Sequence, residues 1–244
     1  GGGAPARRPC APGGMSTPPL EVVDLGRRPY LDTLELQRAL RLRRVDGSLP
    51  HDILLLVEHD PVYTLGRGTE ATSLPLPLSA LEARGATVVE VERGGDVTWH
   101  GPGQLVGYPI LHLSAHREDL HWYLRTLEGA LIEALAQFEI PAERVAGKTG
   151  VWTHGRKIAS LGIHVKQWVT LHGFALNVDP ELAWFDAIVP CGLPGVTMTS
   201  VAKEIGTASP TLAAEVRAVV VASMATAFGL RARPRPLADL LPPG

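Results

Sequence analysis

Arg93-Gly-Gly-Asp-Val-Thr-Trp-His-Gly-Pro-Gly-Gln104 is the stretch on which the reading of this chain turns. Five of its twelve residues are glycine or proline. No amphipathic helix or alternating strand has that composition. Glycines let a backbone lie close to another group with no side chain between them. Arg93, Asp96 and His100 fall in the same short loop and can converge on one ligand, as glycine-dense loops often do. The competing reading is a tight surface hairpin with scattered polar residues.

Outward from this run, residues 86–92 read as a strand entering it and residues 105–111 as a strand leaving it. Ile53-Leu-Leu-Leu-Val57 has the length of a buried strand, and residues 62–65 form another short one. Residues 30–44 read as a helix whose apolar stripe is Leu31, Leu34, Ala39, Leu40 and Leu42. Residues 119–138 form the clearest helix, with Leu120, Tyr123, Leu124, Leu127, Leu131, Ala134, Leu135 and Phe138 at i, i+3, i+4, i+7 spacing. Three strand-like segments follow: 150–154, 157–165 and 168–178. Gly155-Arg156 joins the first two as a hairpin connection. A last helix starts near Ser209-Pro210 and ends at Gly229. Strands interspersed with a few helices give an α/β (α+β) fold with mixed sheets and packed helices. The expected layout is a disordered extension or expression remnant over residues 1–14, one catalytic domain over 15–230, and a flexible proline-rich tail over 231–244.

The bulk numbers exclude several classes. The chain has 244 residues, 45% hydrophobic and 20% charged, with a formal net charge of −2. That balance argues against nucleic-acid binding through bulk charge. No apolar run approaches the eighteen or so residues of a membrane span. The two cysteines, Cys10 and Cys191, do not suggest a disulfide framework, and a reduced, cytoplasmic protein is expected. Residues 1–14 lack the apolar stretch of a secretion signal.

Two residues outside the glycine run can carry chemistry. Cys191 lies in Pro190-Cys-Gly192, a turn that presents a side chain. A free thiol is only a few per cent thiolate at neutral pH, so a catalytic cysteine needs a positive partner or a base. Lys157 opens a strand, and regular alternation would set it beside Ala159 and Leu161. A solvated lysine at a strand end is the bland alternative. His116 and His121 stand at i, i+5 and do not share a helix face. No His-Glu-x-x-His or Cys-x-x-Cys motif is present, so no metal site is expected.

Taken together, four motifs resemble the lipoyl(octanoyl) transferases. They are Arg93–Gln104, Gly155-Arg-Lys-Ile-Ala-Ser-Leu-Gly162, His172-Gly-Phe-Ala-Leu-Asn177 and Pro190-Cys-Gly192, in that family's order. The resemblance spans roughly residues 20–205. It implies a fold shared with biotin and lipoate protein ligases. It implies transfer of an octanoyl group from octanoyl-acyl carrier protein to a specific lysine of a lipoyl domain. The acceptors would be those of 2-oxo acid dehydrogenase complexes and the glycine cleavage H protein. It implies a Cys191/Lys157 dyad, a Cys acyl-thioester and no cofactor. The acyl site would be lined by Arg93, Gly94, Gly95, Asp96, Val97, Thr98, Trp99 and His100, by Ser160, Leu161 and Gly162, and by Gly173, Phe174 and Ala175.

The residue types suit that chemistry. Attack of a thiolate on a thioester is near energy balance and needs no nucleotide. The acceptor lysine, with a free pKa of about 10.4, must lose a proton to attack. Lys157 or His100 would take it. The acidic character expected of both partners predicts a docking patch drawn from Arg38, Arg41, Arg43, Arg44 and Arg67. The alternatives are an ATP-dependent lipoate ligase on the same fold, a non-catalytic lipoyl-domain binder and a cysteine hydrolase.

Overall fold

The computed structural model describes residues 17–189 and 195–241; Cys191, residues 1–14 and the last three residues lie outside that set. Eleven strands and five α-helices are described, with four short 3-10 turns besides. The strands are β1 (Pro19–Arg28), β2 (Asp52–His59), β3 (Val62–Leu65), β4 (Thr87–Glu90), β5 (Thr98–His100), β6 (Gln104–Ile110), β7 (Glu143–Val145), β8 (Lys148–Thr153), β9 (Arg156–Lys166), β10 (Val169–Asn177) and β11 (Arg231–Pro234). The helices are α1 (Tyr30–Val45), α2 (Leu78–Ala83), α3 (Leu120–Ala136), α4 (Val201–Ile205) and α5 (Leu212–Ala227).

Eight strands form one mixed sheet in the order β11-β1-β2-β6-β10-β9-β8-β7. The pairs β11–β1 and β1–β2 are parallel and the rest antiparallel. A small sheet, β4-β3-β5, stands beside it. Both faces of the large sheet are covered, which explains the unbroken apolar run in β2. Leu54 and Leu56 join the core with α3 and α5, while Ile53, Leu55 and Val57 join the core with α1. A third core, with Tyr63, Leu81, Trp99 and Phe185, lies under the small sheet.

α3 starts where expected: the Asp119 carboxylate accepts the Trp122 N–H at 2.9 Å, a side-chain cap. Its Leu120 is nonetheless exposed. α1 buries a different stripe from the one its leucines suggest. Tyr30, Leu34, Gln37, Leu40 and Arg44 face inward, and Leu31 and Leu42 face solvent. The polar members are tolerated because each has a partner. The Gln37 side-chain oxygen accepts the His172 N–H at 2.9 Å, and Arg44 donates to Asp52 at 2.7 Å.

Residues 231–241 differ from the expected loose tail. Arg231–Pro234 adds a parallel strand to β1, Arg233 reaches the buried Glu21 at 2.8 Å, and Leu240 is fully buried. The prolines fit here because β11 is the sheet edge, where a missing N–H costs nothing.

Candidate functional site

Strands β9 and β10 and the glycine-rich run enclose a cavity of about 370 Å³. Arg93 to Thr98, His100, Lys157, Ser160 to Gly162 and Gly173 to Ala175 all line it. Three segments, the glycine-rich run, β9 and β10, therefore meet at one cavity. Trp99 is the exception among the residues expected there. Its ring stacks on Trp184 at 5.6 Å and meets Phe185 edge-on in the third core. It lies on β5, the short strand within the run. Alternation turns its side chain away from those of Thr98 and His100.

The run lies directly on β9. The Gly94 N–H donates to the Ile163 carbonyl at 2.9 Å. Gly162 permits that approach: a Cβ there would stand 2.9 Å from Arg93 Cδ and 3.0 Å from the Gly94 carbonyl oxygen. The polar side chains of the run hold its shape. Arg93 is buried and donates to the carbonyl oxygens of Thr64 and Asp96, both at 2.7 Å, and to the Thr64 hydroxyl at 2.8 Å. The Asp96 carboxylate accepts the Val97 N–H at 2.6 Å and the Ser73 hydroxyl at 2.5 Å.

His100 begins a buried polar chain. Gln104 donates its amide N–H to the Trp99 carbonyl and to Asn177 Oδ1 at 2.9 Å. Its Oε1 therefore accepts, and His100 must carry its proton on Nδ1, 2.8 Å away. Asn177 in turn donates to the Thr199 carbonyl at 2.9 Å, and the Thr199 N–H donates to the Lys157 carbonyl at 2.9 Å. Burial, with the nearby His59 and Arg93 adding to it, pushes the His100 pKa down to about 3. The imidazole is neutral, and its Nε2 faces the Thr64 hydroxyl at 3.5 Å.

Two tyrosines and another histidine complete this wall. Tyr30 stacks on His100 with ring planes 7° apart. His59 donates to the Arg28 carbonyl at 2.8 Å and accepts the Tyr108 hydroxyl at 2.7 Å. Burial lowers the His59 pKa to about 4 and raises both tyrosines above their ordinary values. This group of histidines and tyrosines is thus polar but uncharged.

Lys157 is 1% exposed, not a solvated strand end. Regular alternation does not hold around it. Trp152 pairs with Lys157 but Val151 pairs with Ala159, so Ile158 is an extra residue on β9. Such a bulge re-aims the neighbouring side chain. The Lys157 ammonium stands 5.6 Å from the centre of the Trp152 ring. Cys191 lies outside the described residues.

Residues 29–225 match the family described as lipoyl protein ligase A/B catalytic domain. An octanoyltransferase of Gloeobacter violaceus is 50% identical over 214 residues, covering 87% of this chain and 92% of that protein. An octanoyltransferase of Geobacter sulfurreducens is 48% identical over 206 residues, covering 84% of this chain and 83% of that one. This chain belongs to the lipoyl protein ligase A/B catalytic domain family. Its fold is that of a solved lipoate-protein ligase A bound with ATP, with a TM-score of 0.70, 16% identity, and 91% and 90% of the two chains covered. The α/β architecture with mixed sheets, read from the sequence, is the family's.

Some contributors to this family member's site escaped the sequence reading. Tyr30, Tyr108 and His172 line the cavity, and His59 supports it. The signal for Tyr30 and Tyr108 was faint: an aromatic at a helix start and one inside an apolar strand. His172 sits in left-handed backbone with φ 59°. Its ring is buried 3.8 Å from Glu92, and burial lowers its pKa to about 4. The expected arginine patch is also redrawn. Arg44 is buried with Asp52, Arg43 donates to the Leu240 carbonyl, and Arg38 makes a two-pronged pair with Glu92. Arg44 cannot meet a partner protein, because its guanidinium is committed inside the fold.

Proposed function

We propose that this chain transfers an octanoyl group from acyl carrier protein to a specific lysine of lipoyl domains, through a thioester on Cys191. The observation that carries this reading is the cavity: a slot of about 370 Å³ with a buried lysine in its wall. That volume is at the small end of ligand pockets, about 300–1,000 Å³, and suits a short acyl chain. Burying roughly seven aliphatic carbons at about 0.8 kcal/mol each contributes roughly 5–6 kcal/mol before ordering costs. The relatives named octanoyltransferase supply the acyl group of the proposal.

The described residues flanking Cys191 support its role. Val189, two residues upstream, donates to the Ser73 carbonyl at 2.9 Å, and the Ser73 hydroxyl donates to Asp96. Downstream, the Lys157 N–H donates to the Thr197 carbonyl at 2.9 Å. The six residues from Cys191 to Thr197 span at most about 20 Å. Both tethers thus run to cavity-lining residues.

In the first step Cys191 Sγ attacks the thioester carbonyl. The bond to the carrier sulfur breaks, the departing sulfur takes a proton from the Lys157 ammonium, and the carrier leaves as a thiol, so Lys157 enters the second step neutral. In the second step the acceptor amine attacks the acyl-enzyme, an amide forms and the Cys191 thiolate departs. Lys157 accepts the proton that the amine loses. His100 is unsuited to that task, since its one basic nitrogen, Nε2, lies against the Thr64 hydroxyl and burial holds its pKa far below neutrality. The acceptors in this reading are lipoyl domains of 2-oxo acid dehydrogenase complexes and the glycine cleavage H protein. The reaction belongs in the cytoplasm, where its carrier and acceptors meet. Among the described residues no helix is long and apolar enough to cross a membrane.

The test is transfer without nucleotide. Octanoyl-carrier, lipoyl domain and this chain, with no ATP, should give an octanoylated lipoyl domain by mass. A requirement for ATP and free acid would establish the ligase alternative instead.

A further inference from the structure

We propose that Glu128 is a positioning residue for Lys157, acting through the β7–β8 hairpin. The inference rests on Lys157 serving the transfer proposed above. Glu128 lies in α3 and is completely buried. One carboxylate oxygen accepts the N–H of Gly150, on β8, at 3.0 Å. The other receives Arg125 at 2.6 Å and Arg144, on β7, at 3.2 Å. A single side chain therefore pins both arms of the edge hairpin to the helix.

Gly150 is the surface on which the lysine rests. A Cβ there would stand 2.6 Å from Lys157 Cε and 3.3 Å from its Nζ. Its φ of +126° is open only to glycine, so this backbone persists because something holds it. The hairpin also carries Trp152, whose ring lies beneath the amine, and Gly147, Lys148 and Thr149, which line the cavity. Where Glu128 holds Gly150 sets where the ammonium stands.

Stability alone does not call for a carboxylate here. A buried ion pair can often be replaced by a well-packed apolar residue at no cost. Glu128→Leu should lower the melting temperature and still fold, because the two arginines it frees are partly exposed and can turn to water, and it removes the acceptor for Gly150. Glu128→Gln keeps that acceptor and loses the charge.

The experiment measures steady-state octanoyl transfer, the pH–rate profile and the melting temperature of four variants. Glu128→Leu should lose on the order of 10–100-fold in kcat, the cost of an ångström-scale misplacement, with KM for the carrier kept and the profile displaced. Glu128→Gln should retain kcat and the parental profile. Arg125→Met should lower the melting temperature and leave kcat alone. Parental kcat and profile in Glu128→Leu would overturn the inference, as would an equal loss of kcat in Arg125→Met. Lys157→Gln separates the levels: if it keeps parental kcat, the reading beneath fails. If it is inactive beside an unaffected Glu128→Leu, only this inference fails.

Discussion

The Nδ1–H of His100 donates to Oε1 of Gln104 at 2.8 Å, and that bond fixes both the tautomer and the place of the imidazole in the cavity wall. Gln104 is in turn oriented by the Trp99 carbonyl and Asn177. The wall is rigid because every amide in the chain has an unambiguous role.

Gln104→Leu should therefore destabilise the fold. It leaves a buried imidazole N–H and the Asn177 oxygen without partners, each worth about 1–3 kcal/mol. Urea unfolding at neutral pH should show a drop of about 2–6 kcal/mol. An unchanged midpoint would remove the polar chain from the account.

Gly162→Ala should separate activity from stability. The added methyl meets Arg93 and Gly94, pushing the glycine-rich run off β9 and reshaping the cavity. Transfer should fall on the order of 10–100-fold while the protein remains folded. Parental activity would show that the close approach of the run to β9 is not needed.

Acid should weaken the fold before the carboxylates titrate. His59 and His172 have pKa values of about 4 and His100 of about 3, all set mainly by burial, against about 6.5 in an unfolded chain. As pH falls below about 6.5 the unfolded chain takes up protons that the folded one refuses. Their contribution is complete above about 6.5 and is lost progressively down to about 4 for His59 and His172 and about 3 for His100. The slope is up to about 1.4 kcal/mol per pH unit for each histidine. Unfolding free energies at pH 7.5 and pH 5 should differ in that sense; equal values would contradict the buried, neutral histidines.

Trp99→Phe should cost stability without changing KM for the acyl donor. The indole packs against Trp184 and Phe185, away from the cavity. A raised KM with an unchanged melting temperature would return Trp99 to the site.

Much of this was legible in the sequence, for identifiable reasons. Ile53–Val57 reads as a strand because both of its faces are buried, and α3 because its leucines keep helical spacing above an Asp119 cap. The glycine-rich run announces a close approach, and Gly162 is the residue it approaches. What stayed hidden depended on long-range partners. β1 carries Glu21 and Asp24 within it, and the buried Glu21 is paired by Arg233 and Arg235 arriving from the far end of the chain. Arg44 looks like a surface charge until Asp52 is beside it. The bulge at Ile158 breaks the alternation by which Lys157 would have been placed. His172 enters the cavity wall through a backbone conformation that a histidine rarely adopts.

The central claim is that the acyl group travels on Cys191. Intact mass spectrometry of the protein mixed with octanoyl-carrier, before any acceptor is added, tests it most directly. The account predicts one octanoyl adduct that maps to Cys191, is absent in Cys191→Ser and disappears when a lipoyl domain is supplied. Turnover by Cys191→Ser at the parental rate, with no adduct on the parent, would contradict it.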